Sequence, residues 1–244
     1  MPTRQAGLLG RQHATIPTGL QYLTYYVAGA LPKGPPSVTV PNYGLWGMLG
    51  NDQYGDCGIA SLEHGFMCDS VITHEQREAQ ATDQQAVTYY LTYNNGQDIG
   101  VNLSQYLAYV RTHGYYGHSI EAYAPVAVHD VPTLQTVVWM YGFAYTGIVV
   151  TREMQEAFQN NQPWTADLLN FPVIGGHAVP IVGYDDQYLY VITWGGVQAI
   201  SYSAWHAMSS EAWACITGEF VGRHGDGRGV SLAALKADLN RFTQ

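Results

Sequence analysis

Two apolar runs, HAVPIVGY (177–184) and YLYVITWG (188–195), flank the short polar tract Asp185, Asp186 and Gln187. Runs of this length rich in Val, Ile and Tyr and divided by a turn tract fold as an antiparallel hairpin. A hairpin is not stable alone, so the rest of the chain must supply further strands and a covering layer. That requirement governs the reading of everything upstream.

The preceding segments are helical in pattern. In GMLGNDQYGDCGIASLEHGFMCDSVI (47–72) a turn-rich stretch of Gly, Asn and Asp gives way at Cys57 to helix, with Ile59, Leu62, Phe66 and Ile72 on or near one face. Asp56 is placed as the N-cap, with its carboxylate turned onto the first-turn N–H groups. Further helices are expected over 80–93, over 102–114 with Gly114 as the stop, after Pro132, over 152–160, and over 230–242 with Leu232, Leu235 and Leu239 on one side. Strands are expected at 143–151, 197–205 and 212–216, with a short extended stretch at 37–41. Helices come first and strands afterwards, the order of an α+β protein. The glycine-rich tract GRHGDGRG (222–229) reads as a flexible loop, because no GK[ST] follows it.

Residues 1–36 lack periodicity and end in LPKGPP, which predicts an extended, proline-rich arm ahead of a domain spanning 37–244. Such an arm must dock on its own domain or on a neighbour. At 244 residues and 47% hydrophobic, the chain can bury a substantial core. The net charge is -9 and the only lysines are Lys33 and Lys236, which argues against a nucleic-acid or anionic-membrane surface. No apolar run reaches transmembrane length, and the N-terminus lacks an apolar signal core, so synthesis in the cytoplasm without a signal peptide is expected. Cys57, Cys68 and Cys215 are too few and too irregularly spaced for a disulfide framework. Cys57 and Cys68 are eleven residues apart on one helix, about 16 Å at ~1.5 Å per residue. Cys68 and Cys215 read as core thiols. No HExxH, Walker or EF-hand pattern is present, and no cofactor or metal is expected.

One constellation carries chemistry. Cys57 at a helix N-terminus gains partial positive charge and free N–H groups, both of which favour thiolate. His177 opens a strand after Gly175 and Gly176, where backbone or substrate can approach closely. A thiol, a base within reach and oxyanion donors together make a nucleophilic site.

These residues lie in a resemblance. NDQYGDCGIAS resembles the nucleophile segment of papain-like cysteine peptidases, its D-C-G-x-A form being closer to the bacteriocin-processing branch. GGHAVPIVGYDDQYLYVITWGG resembles the papain histidine segment. LSQYLAYVRTHGYYGHSIEAYAP and GIVVTREMQEAF are similar to the intervening helix-then-loop and strand-and-turn regions, in the right order over roughly residues 37–216. The proline-rich start, NDQYGDC and TWG are also similar to papain-like proteins of actinobacterial viruses. The resemblance implies a papain-like α+β fold, with a helical N-terminal half carrying the nucleophile helix against a C-terminal antiparallel sheet half. It implies a thiol hydrolase of amide bonds, acting on a protein or a cell-wall peptide, with Cys57 as nucleophile and His177 as base. The family's glutamine six residues before the cysteine falls at Asn51, with Gln53 the alternate oxyanion donor. The family's third residue, usually Asn or Asp, falls at Thr193 counting sixteen from His177, or at Ile192 if the Trp-Gly pair is aligned. Thr193 is a weaker acceptor than the family's usual residue. This leaves a rival expectation: a papain-fold structural or interaction protein with little catalysis, a phage virion component that self-associates or binds virion neighbours through the arm.

Overall fold

The computed structural model describes residues 4–73, 81–225 and 227–242. It is an α+β structure of eight described helices and six strands: α1 (Cys57–Thr73), α2 (Asp83–Tyr93), α3 (Leu103–His113), β1 (Ile120–Pro125), α4 (Val131–Tyr141), β2 (Ala144–Thr151), α5 (Arg152–Gln159), β3 (Val173–Tyr184), β4 (Tyr188–Thr193), β5 (Gly196–Ser201), α6 (Tyr202–Met208), β6 (Ser209–Thr217), α7 (Gly218–His224) and α8 (Leu232–Phe242). The strands form one sheet in the order β1-β6-β2-β3-β4-β5, and every neighbouring pair is antiparallel.

The hairpin that anchors the sequence reading is present. Asp185 Oδ1 accepts from the Gln187 and Tyr188 N–H groups at 2.8 and 2.7 Å, an Asx turn between β3 and β4. Between β4 and β5 the two-residue turn Trp194-Gly195 has positive φ at both positions, 45° and 72°, the turn whose twist matches the flanking strands. β3 is longer than the apolar pattern alone predicts, beginning at Val173 rather than His177. Its first residues pair with the end of β2, so partner strand and not side-chain pattern extends it.

α1 packs against β3 and is buried from Cys57 through Ser70 on every side, not on one face. Its interior therefore holds polar groups as well, including Glu63, His64 and Asp69. Trp164, Trp205 and Trp213 are fully buried, and each indole N–H has an acceptor: Met154 O at 2.8 Å, Val128 O at 2.7 Å and Glu211 Oε2 at 2.9 Å. Burial of ~150–250 Å² per indole at ~25 cal/mol/Å² gives about 4–6 kcal/mol of transfer free energy each, which an unpaired N–H would have eroded.

Several boundaries differ from the sequence reading. The expected strand at 197–205 stops at Ser201, whose Oγ accepts from Ala204 N at 3.2 Å and caps α6. The expected loop at 222–229 begins inside α7, which runs to His224 and ends at the left-handed Gly225; residue 226 lies outside the described residues. The helix expected over 80–93 starts at Asp83 behind a Thr82–Gln85 capping box, and residue 80 lies outside the described residues. β1 has no counterpart in the periodicity reading. Strands and helices also interleave after α3 instead of segregating.

Described from residue 4, the arm runs along its own domain. Arg4 lies 4.1 Å over the Phe158 ring and donates to Asn161 Oδ1 at 2.8 Å. Leu20, Leu23 and Tyr26 are buried, and the Tyr26 hydroxyl donates to Asp238 of α8 at 2.8 Å. Further on, the carbonyls of Pro32 and Pro35 accept from Thr136 and Tyr184, and Val38 pairs with Tyr184. No helix among the described residues is long and apolar enough to cross a membrane.

Candidate active site

α1 and β3 deliver the two reactive side chains. Cys57 is the first residue of α1, where the Met48–Gly55 loop turns into helix. His177 lies in β3 opposite Ile148 of β2. Both line one small cavity of about 10 Å³, together with Asn51, Ser61, His64 and Thr193. Among the described residues no group of three His, Cys, Asp or Glu side chains is arranged to hold a metal.

The imidazole is fixed on two sides. Its Nε2 lies 2.7 Å from Thr193 Oγ1, and its face stacks on Trp194 with centroids 4.7 Å apart and planes at 29°. The Trp194-Gly195 turn makes this arrangement, because it ends β4 at Thr193 and folds the next side chain back over His177. Trp194 is itself held edge-on by Phe158 and Trp164. Nδ1 has no hydrogen-bond partner, although it is buried. Burial, with the Arg11 charge as a smaller cause, pushes the imidazole down to about 3. His177 is therefore neutral here.

Cys57 is only 1% exposed. Burial raises its thiol to about 11, although the backbone N–H groups of Ala178 and Gly10 and the Arg11 charge favour thiolate. Desolvation outweighs the helix N-terminus. Cys68 and Cys215 are also buried and raised.

Asp56 departs from its expected role. Its backbone carbonyl accepts from Ile59 and Ala60, but neither carboxylate oxygen has a hydrogen-bond partner. The Asn51 amide lies beside it and offsets part of the effect, yet both Asn51 N–H bonds are directed at carbonyls. Burial raises the Asp56 carboxyl to about 8, so at neutral pH it is largely protonated.

Residues 7–12 of the arm cross this site, which the sequence reading did not foresee. Asn51 Nδ2 donates to Leu8 O and Tyr54 O, both at 3.1 Å, and Leu8 N donates back to Asn51 O at 2.6 Å. Arg11 N donates to Gly176 O at 3.2 Å, Val101 N to Gly10 O at 2.9 Å, and Gln12 N to Val101 O at 2.8 Å. The segment thus lies extended between Gly176 of β3 and the Val101 loop, with an isolated bridge between Arg11 and Val101. Gly10 has to be glycine here: a Cβ on it would lie 1.6 Å from Gly55 O.

Asn51, Cys57, His177, Thr193 and Ile192 all line the cavity, but only Thr193 of the last two has an atom that can bond the imidazole. Gln53 is exposed and does not line it. Ser61 and His64 were not singled out, although they follow Cys57 at the four- and seven-residue spacing of one helix face. His64 Nε2 faces the carbonyls of Trp46 and Gly47 at 2.9 and 3.3 Å, and burial lowers it to about 4.

No protein-family profile matches the chain, and no curated protein sequence matches it. Solved structures do. The chain is similar to xylellain, a cysteine protease from Xylella fastidiosa, at TM-score 0.63 and 15% identity over 88% of this chain and 98% of that one. It is also matched to the cysteine protease and lectin-like domains of a surface-layer associated protein of Clostridium difficile, at 0.48 and 12% over 78% and 53%. A cysteine protease of Carica candamarcensis matches at 0.37 and 16% over 74% and 98%. The xylellain match shows that the fold is papain-like.

Proposed function

We propose that this chain is a thiol hydrolase of amide bonds whose cleft is closed by its own N-terminal arm. The observation that carries the reading is Asn51. Its side-chain amide already grips a peptide carbonyl, that of Leu8 at 3.1 Å, beside the cavity shared by Cys57, His177 and Thr193. A papain-like fold with a peptide strand seated across a cysteine and a histidine is arranged to act on peptides.

In this mechanism His177 donates its Nε2–H to Thr193 Oγ1, which leaves the Nδ1 lone pair directed into the cavity. Once the arm lifts and water enters, the desolvation that holds the thiol up and the imidazole down is relieved. Nδ1 then takes the Cys57 proton, and the thiolate attacks the scissile carbonyl. The Asn51 amide and the Cys57 backbone N–H hold the oxyanion. His177 returns the proton to the leaving amine, and then activates the water that hydrolyses the thioester. The substrate class is a protein or a cell-wall peptide.

The test is thiol labelling with a peptidyl electrophile, in the intact chain and in a chain whose arm is displaced by Gly10→Ala. Labelling confined to Cys57 and accelerated by displacement is the expected result. If Cys57 remains as inert as Cys68 and Cys215 after the arm has been released, the hydrolase reading fails. The papain-fold structural protein, docked through its arm, then replaces it.

A further inference from the structure

Arg11 and Glu211 form a buried ion pair across the cleft, Nη1 to Oε1 at 2.9 Å, with side chains 7% and 3% exposed. Arg11 belongs to the arm, and Glu211 to β6 of the domain. The same Nη1 contacts Gln12 O at 3.2 Å. The carboxylate does not depend on Arg11 for its position. Its Oε2 accepts the Trp213 indole N–H at 2.9 Å, a bond made entirely within the domain. The slot around the guanidinium is also built by the domain. A Cβ on Gly147 of β2 would lie 2.5 Å from Arg11 Cδ and 2.8 Å from Glu211 Oε1. A Cβ on Gly176 of β3 would lie 3.1 Å from Arg11 Nε and 3.2 Å from Nη2. Two missing side chains on adjacent strands thus leave room for a flat cation. The register between β2 and β6 shifts at Gly147, opposite Glu211, where a bulge can aim a side chain out of the ladder.

When the arm lifts, Glu211 is left as a carboxylate held by Trp213, with Oε1 stripped of its counter-charge in a narrow slot. An apolar occupant would strand that charge, and a cation would satisfy it. The space left by Gly147 and Gly176 admits the planar guanidinium, which bonds the carboxylate through Nη1 alone while Nε is buried without a partner. The slot also adjoins the reacting centre, because Gly176, which holds the Arg11 backbone, directly precedes His177.

We infer that the Glu211 slot is a side-chain subsite that selects arginine in the peptide this cleft binds, and that Arg11 occupies it as a resident mimic. Calling that peptide a substrate rests on the hydrolase reading above; the recognition does not.

The test uses the full chain carrying Gly10→Ala, which unseats residues 7–12 without touching the slot. The probe is a fluorescent copy of residues 8–13, with arginine or with uncharged, nearly isosteric citrulline at the fourth position. The arginine peptide should bind about 10- to 100-fold more tightly, the range of a charge-assisted bond. Adding Glu211→Gln should abolish the difference. Binding of the two peptides within about 2-fold of each other, or a preference that survives Glu211→Gln, overturns the inference. A second measurement needs no released arm. Amide exchange of residues 8–12 is compared in the otherwise intact chain for Arg11→Lys and Arg11→Gln, each with and without Glu211→Gln. Protection should fall more for Gln than for Lys, and neither change should matter once Glu211 is neutral. Equal protection in all chains overturns the subsite even if Gly10→Ala does not fold. Iodoacetamide labelling of Cys57 in the released chain reports on the hydrolase reading separately. Arginine discrimination with an inert Cys57 would leave the subsite standing and remove the chemistry.

Discussion

Replacing Thr193 with valine removes one atom's worth of chemistry from the site while keeping the branched shape. Thr193 is 2% and His177 1% exposed, so no water can replace the 2.7 Å bond between them. The imidazole N–H would be left buried without an acceptor, a loss of about 1–3 kcal/mol. For a chain of this size that corresponds to a fall in Tm of about 2–12 °C. The same loss releases the tautomer. With no acceptor at Nε2, the proton is free to move to Nδ1, which is the nitrogen that must accept from Cys57. Calorimetry gives the stability term, and nitrogen chemical shifts of the His177 ring give the tautomer. If a substrate is in hand, kcat/KM should drop about 10-fold or more. Thr193→Asn should restore part of the activity, since its amide oxygen is also an acceptor. A Thr193→Val protein with unchanged Tm and an unchanged His177 tautomer would refute the assignment of Thr193 as the orienting residue.

Gly10→Ala should raise the rate of Cys57 alkylation by at least about 10-fold at neutral pH, since the Cβ has no room against Gly55 and the covering strand must lift. Peptide mapping should show Cys68 and Cys215 unchanged; parallel increases at all three would mean global loosening instead. Stability should peak near pH 6.5, and the sign follows from three groups. His64 and His177 have folded values of about 4 and about 3, below the usual 6.5, so their contribution is present above 6.5 and is lost as pH falls. Asp56, raised to about 8, contributes fully below its usual 3.8 and loses that contribution as pH rises toward 8. Each proton changes stability by about 1.4 kcal/mol per pH unit, so Asp56→Asn should flatten the decline above pH 6.5 in a Tm series. An unchanged decline would show that Asp56 is ionised in the folded chain.

What could be read from sequence was local. The β3–β4 hairpin and the helix opening at Cys57 each rest on neighbours within a few residues and appear close to where pattern and turn chemistry put them. The apolar run to 195, in contrast, stops as a strand at Thr193, where Trp194 and Gly195 turn. Counting sixteen from His177 reaches a residue that contacts its ring, Thr193 Oγ1 at 2.7 Å, because both lie along one hairpin. The features that escaped depend on contacts across the chain. Gly7 and Gly10 look like ordinary arm glycines until Gly55 and Asn51 stand against them. Glu211 reads as a surface or a buried charge with equal ease, because its counter-charge lies 200 residues away at Arg11. Asp56 has the residue type of an N-cap, but the fold buries it with neither carboxylate oxygen bonded to a first-turn N–H group. β1 pairs only with β6, nearly a hundred residues later, so nothing nearby announces it.

The most direct test of the nucleophile–base pair is the pH profile of Cys57 alkylation in the Gly10→Ala chain, with and without His177→Ala. If His177 serves Cys57, the released thiol should titrate below the ordinary value of about 8.5, and His177→Ala should move the profile upward by about a pH unit or more. Superimposable profiles with and without the imidazole would mean that the two residues share a cavity and no chemistry.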